Sequence, residues 1–152
     1  MNKSIHIAAG IITGVVLSNN LELDSLESLL CVSTTILGSL LPDIDTPYSY
    51  IGNRVKLISI PIYKLFGHRT VTHSLLVWTV LLLASPIFYQ GLIYGILCIS
   101  LYGGIVSHLI LDTISPIGVP LLYPVHNVKV HLLPHRRRKN KRIPRRRKRL
   151  PI

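Results

Sequence analysis

The sequence is poor in acidic residues and in cysteine. It contains six Asp and Glu residues and two cysteines among 152 residues. Cys31 and Cys98 lie in apolar runs without a Cys-x-x-Cys spacing. They give no indication of a disulfide framework or of a thiolate metal site.

Charge of either sign is scarce outside the C-terminal tail. Charged residues make up 15% of the chain, against about a quarter in a typical soluble domain. Eleven of the 17 Lys and Arg residues lie between Arg136 and Arg149, which leaves six basic and six acidic residues in the first 135. A formally neutral body rich in Leu, Ile and Val is too hydrophobic for a soluble domain and is typical of an integral membrane protein.

Four hydrophobic segments predict an all-α fold, a small multi-pass membrane bundle of about four helices. They run roughly over residues 4–17, 26–41, 73–89 and 92–111. The first two are shorter than the ~20 residues that a helix needs to cross the bilayer, so we expect tilt or local thinning. The first segment lacks a clear small-residue cleavage site and is interpreted as a retained helix rather than a secretion signal. Pro86 is expected to end or kink the third segment.

Three further segments are expected to lie outside the spans. Residues 48–66 mix basic and apolar residues around Pro61 and favour a short interfacial helix or a re-entrant loop. The Pro-rich run 115–124 predicts an extended or looped segment. Residues 1–134 are expected to form the membrane-embedded domain and residues 135–152 a disordered, solvated tail.

The basic tail is expected to bind the anionic headgroups of membrane lipids. Binding of nucleic acid is the weaker alternative, because no aromatic residues alternate with the tail's charges. The histidines just before and at the start of the tail are interpreted as interfacial or loop residues: His126, His131 and His135.

The distribution of basic residues predicts the orientation. With both termini in the cytoplasm, all strongly basic positions lie inside and the acidic turn of residues 19–27 lies outside, as the positive-inside rule requires. An up-down-up-down bundle then brings every histidine and acid found at a segment end to the cytoplasmic side. These residues are His6, Asp43, Asp45, His68, His73, His108 and Asp112.

The motif Leu-Pro-Asp-Ile-Asp places Asp43 and Asp45 at the end of the second segment. In extended backbone, residues two apart point the same way, so both carboxylates could face one cation or two. The alternative is a polar turn that ends a helix, which Asp and Pro favour.

The motif His-Arg-Thr-Val-Thr-His-Ser precedes the third segment. On one ideal helix His68 and His73 would lie about 140° apart. They converge more easily if His68 lies in a loop and Thr70 or Thr72 caps the helix. Arg69 suits an anionic substrate oxygen or developing negative charge. The alternative is a basic anchor at the membrane edge.

The motif Ser-His-Leu-Ile-Leu-Asp near the end of the fourth segment spaces His108 and Asp112 four residues apart, on one helical face. Either both bind metal or Asp112 orients His108. The alternative is a stabilising polar pair, although ionisable pairs are uncommon in apolar helices.

Together these residues predict a metal site. Carboxylate and imidazole without thiolate suit Zn²⁺, Mn²⁺ or Mg²⁺. The predicted ligands exceed the three or four protein ligands of one catalytic zinc, which leaves room for two metal ions and an activated water. The predicted ligands are Asp43, Asp45, His68, His73, His108 and Asp112, with His6 as a weaker seventh, and the predicted catalytic residues are Asp45, His73 and Arg69.

As an ordered set, these motifs resemble the YdjM-type membrane proteins, a family described as metal-dependent hydrolases. The residues that carry the resemblance are His6 and the motifs of residues 41–45, 68–74 and 107–112, together with the following run 113–124. The resemblance covers about residues 1–125 and implies a multi-pass plasma-membrane protein with a His/Asp metal site, but no particular substrate. Thr70 departs from the Gly or Ser that often follows His-Arg in the family, and no ligand is lost by it.

The leading functional hypothesis is a metal-dependent hydrolase at the cytoplasmic membrane face, acting on a phosphoester or another lipid-linked ester. Two alternatives are not enzymes: a membrane protein that binds or conducts cations, and a bundle closed by a structural metal. A transporter is expected to place ionisable groups near mid-bilayer, whereas these lie at segment ends.

Overall fold

The computed structural model describes residues 3–87 and 91–132, and within these ranges the fold is helical without a strand. The predicted all-α class is therefore confirmed. The α-helices are α1 (Lys3–Asn20), α2 (Ser25–Leu40), α3 (Lys56–Phe66), α4 (Leu75–Ala84) and α5 (Leu92–Ile114). Three short 3-10 helices join them, at Leu41–Asp45, Val71–His73 and Ser85–Ile87.

The helix beyond the expected four is α3, which lies in the segment where an interfacial helix or a re-entrant loop was predicted. Pro61 falls inside it. Most of its apolar side chains face outward, with Leu57 94% and Leu65 75% exposed. The segment therefore forms a helix that contacts the 3-10 helix after α2 and leaves most of its apolar side chains exposed.

Local signals account for the ends of α2 and α4. The Asp24 carboxylate accepts a hydrogen bond from the Glu27 backbone N–H at 2.8 Å, and Glu27 reciprocates, so the acidic turn caps α2. The N-cap of α4 is Ser74, whose side chain accepts from Val77 N–H. The expectation that Thr70 or Thr72 caps this helix was wrong, because Thr70 precedes and Thr72 lies within a 3-10 turn that comes before Ser74.

The core consists of α2 packed against both α1 and α5, with α4 packed on α5. Gly38 on α2 and Gly104 on α5 mark the closest approach, since a Cβ at either position would overlap a backbone carbonyl of the facing helix. Gly10 and Gly14 allow α1 to approach α2 closely, since a Cβ at either position would overlap Ser39 or Val32 of α2. Small residues at helix contacts are typical of helix packing in membranes.

The interior is polar and the exterior apolar. Among the described residues, fifteen polar or charged residues are buried against six hydrophobic ones, while large apolar side chains are exposed along every helix. Two stretches, Ser25–Asp45 and Leu92–Ile114, are long and apolar enough to cross a membrane by length and composition.

The helices alternate in direction, so that one end of the bundle collects four segment ends. The start of α1, the end of α2, the start of α4 and the end of α5 meet there, since His6 lies 3.8 Å from Asp112 and His73 lies 3.9 Å from Asp43. We call this end the site end. The chain after α5 folds back onto it, with Val119 bridged to Val130 and Ser74 Oγ donating to the Tyr123 carbonyl at 2.6 Å. The predicted basic tail of residues 135–152 lies outside the described residues, so the division at residue 134 stays a prediction.

Candidate metal centre

All seven predicted ligands lie at the site end, and in four of them each histidine Nε2 lies within 4 Å of both carboxylates. His73 Nε2 lies 3.6 Å from Asp112 Oδ2 and 3.9 Å from Asp43 Oδ1. His108 Nε2 lies 3.8 Å from Asp43 Oδ1 and 3.9 Å from Asp112 Oδ2. We call Asp43, His73, His108 and Asp112 the inner group.

These spacings are close to those of metal ligands. Two ligand atoms bound to one cation at about 2.0–2.2 Å lie roughly 3 to 3.6 Å apart. The four nitrogen–oxygen distances of the inner group are up to a few tenths of an ångström wider, and its two carboxylates belong to different sets of three residues that could hold a cation. Side chains from the 3-10 helix after α2, the 3-10 helix before α4, and α5 contribute to it.

His6 extends the inner group on the side of α1. Its ring stacks on that of His108 with centroids 4.0 Å apart, and its Nε2 lies 3.8 Å from Asp112 Oδ1. Two overlapping sets could therefore hold a cation: His6 with His108 and Asp112, and Asp43 with His73 and His108. His108 belongs to both.

The hydrogen bonds of His73 and His108 leave each Nε2 lone pair free to bind a metal. His108 Nδ1 donates to the carbonyl of Ser39 at 2.7 Å, one of the last four carbonyls of α2 that lack a helical partner. His73 Nδ1 lies 3.2 Å from the Asp45 carboxylate. A histidine that donates through Nδ1 presents an unprotonated Nε2, the usual state of a metal-bound histidine.

Asp45 lies in an outer layer, and both of its oxygens already have partners. Oδ1 pairs with His68 Nδ1 at 2.8 Å. Oδ2 accepts from the Arg69 backbone N–H at 2.8 Å and from Thr72 Oγ1 at 2.7 Å. Asp45 and His68 thus belong to neither set of atoms that could hold a cation. Asp45 is placed to orient His68 and His73.

Arg69 connects the outer layer to the inner group. Its φ of 60° is in the left-handed region, uncommon for a residue other than glycine. In this conformation the backbone N–H of Arg69 donates to Asp45. Its guanidinium reaches Asp112, with Nη2 2.9 Å from Oδ2. Nη1 also donates to Ser115 Oγ at 3.3 Å. Its charge is therefore already opposed by a carboxylate, and its predicted contact with substrate stays a prediction.

Unpartnered polar atoms are concentrated in this cluster. Within residues 3–87 and 91–132, every buried side-chain nitrogen or oxygen without a hydrogen bond belongs to it: His6 Nδ1, Arg69 Nε, His73 Nε2, His108 Nε2 and both Asp112 oxygens. The Arg69–Asp112 ion pair is close but lacks hydrogen-bond geometry. Leaving one such atom buried and unpaired costs about 1–3 kcal/mol. A bound cation would satisfy several of them at once, so the residues fit a metal.

A polar pocket of about 410 Å³ opens beside the cluster. Asp43 lies between the pocket and the inner group, since its side chain is 29% exposed and its Oδ1 faces the imidazoles of His73 and His108. His68, 40% exposed, forms part of the wall. The other residues that line it include Lys3, Tyr48, Tyr50 and Arg69.

The sequence did not reveal several supporting residues. Ser39 contributes a backbone carbonyl, which no side-chain pattern marks. Ser115 lies after α5 and reaches Arg69 only through the fold. Thr72 lies within a motif already singled out, but its bond to Asp45 spans 27 positions of sequence.

Comparison with known proteins agrees with the resemblance noted from the motifs. The family model described as YdjM inner membrane protein matches residues 1–146. Inner membrane protein YdjM of Escherichia coli (strain K12) is 47% identical over 98 residues, covering 61% of this chain and 48% of the relative, and its Shigella flexneri counterpart gives the same values. Uncharacterized protein YvsG of Bacillus subtilis (strain 168) is 32% identical over 100 residues, or 64% of this chain and 59% of the relative.

The chain thus spans about half the length of the curated relatives it matches. No solved structure matches it. The family match extends from the first residue through all five helices and the whole site end. The chain belongs to the YdjM family of inner membrane proteins.

Proposed function

We propose that this protein is a metal-dependent hydrolase of the inner membrane, acting on a phosphoester or another lipid-linked ester. The observation that carries the proposal is the inner group, in which two imidazole Nε2 atoms without hydrogen bonds each lie within 4 Å of the Asp43 and Asp112 carboxylates. Two neutral imidazoles and two carboxylates suit Zn²⁺, Mn²⁺ or Mg²⁺.

A bound divalent cation would supply the activation of water and the stabilisation of negative charge that ester hydrolysis needs. The chain itself supplies access. Structural sites are closed by protein, whereas catalytic ones keep a position open to substrate. The inner group is open to substrate at Asp43, because this residue also lines the pocket.

His68 is the residue best placed to move protons. Its Nδ1 is held by Asp45 and its ring lines the pocket, so its Nε2 is available to a group bound there. A histidine oriented by a carboxylate is a common general base and acid. It would take a proton from the attacking water and return one to the leaving alcohol. Overall, one water is consumed and one ester bond is broken.

The charges at the site end support a cytoplasmic orientation. Lys3, Arg54 and Arg69 lie around the pocket or against its wall, and cytoplasmic segments carry the excess of Lys and Arg. We therefore propose a multi-pass topology with the site and both termini in the cytoplasm. The basic tail would then bind the anionic headgroups of the same leaflet.

Metal content and hydrolysis, measured on the same purified protein, test the function. A panel of phosphodiester and phospholipid substrates is assayed with wild type, Asp43→Ala and His73→Ala, all with metals retained. Both variants should lose turnover while they remain folded. His126→Ala is the matched control, since it removes an exposed histidine outside the cluster. Turnover that survives in both inner-group variants would overturn the proposal.

A structural metal is the second candidate, and burial favours it. His6, His73, His108 and Asp112 are at most 1% exposed, and together they link α1, α5 and the 3-10 turn before α4. A cation bound there would cross-link these elements and stabilise the bundle. Retained metal, loss of stability on its removal and no turnover on any substrate would favour this candidate over the hydrolase.

A further inference from the structure

The pocket beside the inner group differs from the cavities elsewhere in the bundle. A cavity between α4 and α5 is lined mainly by apolar side chains such as Trp78, Leu81 and Leu101. The pocket at the site end is lined mainly by charged, hydroxyl and aromatic residues. Its composition is that of a site for a polar ligand.

The ring of Tyr50, which lines the pocket, contacts two cations. Lys3 Nζ lies 4.1 Å from the centroid of the Tyr50 ring, and Arg54 Cζ lies 3.8 Å from it. Arg54 also donates to the Tyr50 carbonyl at 3.0 Å. Neither cation forms an ion pair with a carboxylate in the described part of the chain. The cation–π contacts fix their positions without neutralising their charge.

The position of Lys3 adds to this excess of positive charge. It begins α1, and no acidic residue lies in the first turn of that helix. The N-terminus of a helix carries partial positive charge, so a lysine there is favourable only with an anion nearby. Lys3 forms no ion pair within the described residues, and the carboxylate that shares its pocket is that of Asp43.

A third cation, Arg69, also lines the pocket, and its guanidinium is paired with Asp112 on the side of the inner group. Arg69 is 9% exposed, and its Nε has no hydrogen-bond partner. Lys3 and Arg69 both line the pocket, and Asp43 of the inner group lies on the same wall. An anionic group in the pocket would thus contact cations while lying next to the metal centre.

We infer that this pocket binds the phosphate of a phosphate ester, with Lys3 and Arg69 as its cationic contacts and Tyr50 as the ring that positions Lys3. The inference rests on the proposed function, since it identifies the substrate of that site as a phosphate ester. The Asp43 carboxylate would repel a phosphate when unpaired. Phosphate binding should therefore be stronger when the centre holds metal.

Isothermal titration of the full-length, metal-loaded protein in phosphatidylcholine nanodiscs tests the inference. The probes are dihexanoyl phosphatidic acid, dihexanoyl phosphatidylcholine and inorganic phosphate. Lys3→Gln and Tyr50→Leu should each weaken binding of phosphatidic acid about tenfold, the effect expected from losing one charge-assisted hydrogen bond. Lys56→Gln removes the same charge from an exposed position outside this pocket and should change binding by less than about twofold.

The outcomes separate the pocket from general charge attraction. Equal weakening by Lys3→Gln and Lys56→Gln, or binding unaffected by Lys3→Gln and Tyr50→Leu, would overturn the inference. Chelation should weaken phosphate binding in wild type. Inorganic phosphate bound as tightly as phosphatidic acid would identify free phosphate as the source, and weaker binding would identify the lipid.

Failure of the pocket and failure of the proposed function give different results. Hydrolysis that Lys3→Gln leaves unchanged, together with unchanged phosphate binding, refutes the pocket and leaves the enzyme. Phosphate binding that depends on Lys3, without turnover on any substrate, refutes the enzyme and leaves the pocket. Metal content is measured on each sample. Equal metal content in wild type and variants shows that they differ in phosphate binding and not in the occupancy of the metal centre.

Discussion

The inner group and the outer layer contain the same kinds of side chain and differ in what those side chains contact. Asp45, in the outer layer, has partners on both oxygens. Asp112, in the inner group, is as deeply buried yet has no hydrogen bond to either oxygen. Burial alone therefore does not identify a ligand. The inner group differs from the outer layer in the buried atoms of His73, His108 and Asp112 that have no hydrogen bond.

The largest effect is expected from Asp112→Ala. This change leaves the Arg69 guanidinium buried without its carboxylate and removes a member of one of the two sets that could hold metal. Breaking a buried ion pair costs about 3–5 kcal/mol. We expect loss of bound metal and a clear fall in the thermal midpoint, measured by elemental analysis and by unfolding in detergent.

The matched control for this prediction is Glu22→Ala, which removes an exposed carboxylate in the turn before α2. It should leave both readouts unchanged. An Asp112→Ala protein with full metal content would show that this carboxylate is not a ligand and would erase the distinction between the two layers.

An intermediate effect is expected from Asp45→Asn. The amide keeps the shape of the side chain but cannot accept from all of its present donors, so His73 loses part of its orientation. Removing such a supporting carboxylate typically lowers metal affinity about 10- to 100-fold. Competition titration with a chromophoric chelator measures this directly. Complete loss of metal, equal to that in Asp112→Ala, would place Asp45 among the ligands instead.

The smallest effect is expected from Thr72→Val. It removes one buried hydroxyl that donates to Asp45 at 2.7 Å, and the Asp45 oxygen keeps its bond from the Arg69 backbone. We expect a loss of about 1 kcal/mol in stability and a small decrease in metal affinity. Thr70→Val is the control, since that hydroxyl bonds only to backbone carbonyls among the contacts described. Equal effects of the two substitutions would argue against a network centred on Asp45.

The sequence predicted the helices better than their caps. Hydrophobic runs located α1, α2, α4 and α5 because an apolar segment of this length has few other structures available. The N-cap of α4 was misplaced because three hydroxyl residues lie within five positions, and the chain uses the last, Ser74. The side chain of Thr72 bonds to Asp45, so it does not cap the helix, and Ser74 does.

The sequence predicted that these histidines and acids gather at one end of the bundle, as they do, but it did not distinguish their roles. Asp43 and Asp45 have the same type, spacing and motif, and no local pattern distinguishes a ligand from a supporting carboxylate. The rank follows from contacts with residues 23 to 27 positions away, His68, Arg69 and Thr72.

By itself, the sequence determined the helical class, the alternating direction of the helices and the gathering of histidines and acids at one end. These depend on hydrophobic length and on the position of charges along the chain, which are local properties. The tertiary structure decided which nitrogen and oxygen atoms remain unpaired, because hydrogen bonds between distant segments satisfy some of them first. The atoms left unpaired at His73, His108 and Asp112 belong to groups that could hold a cation.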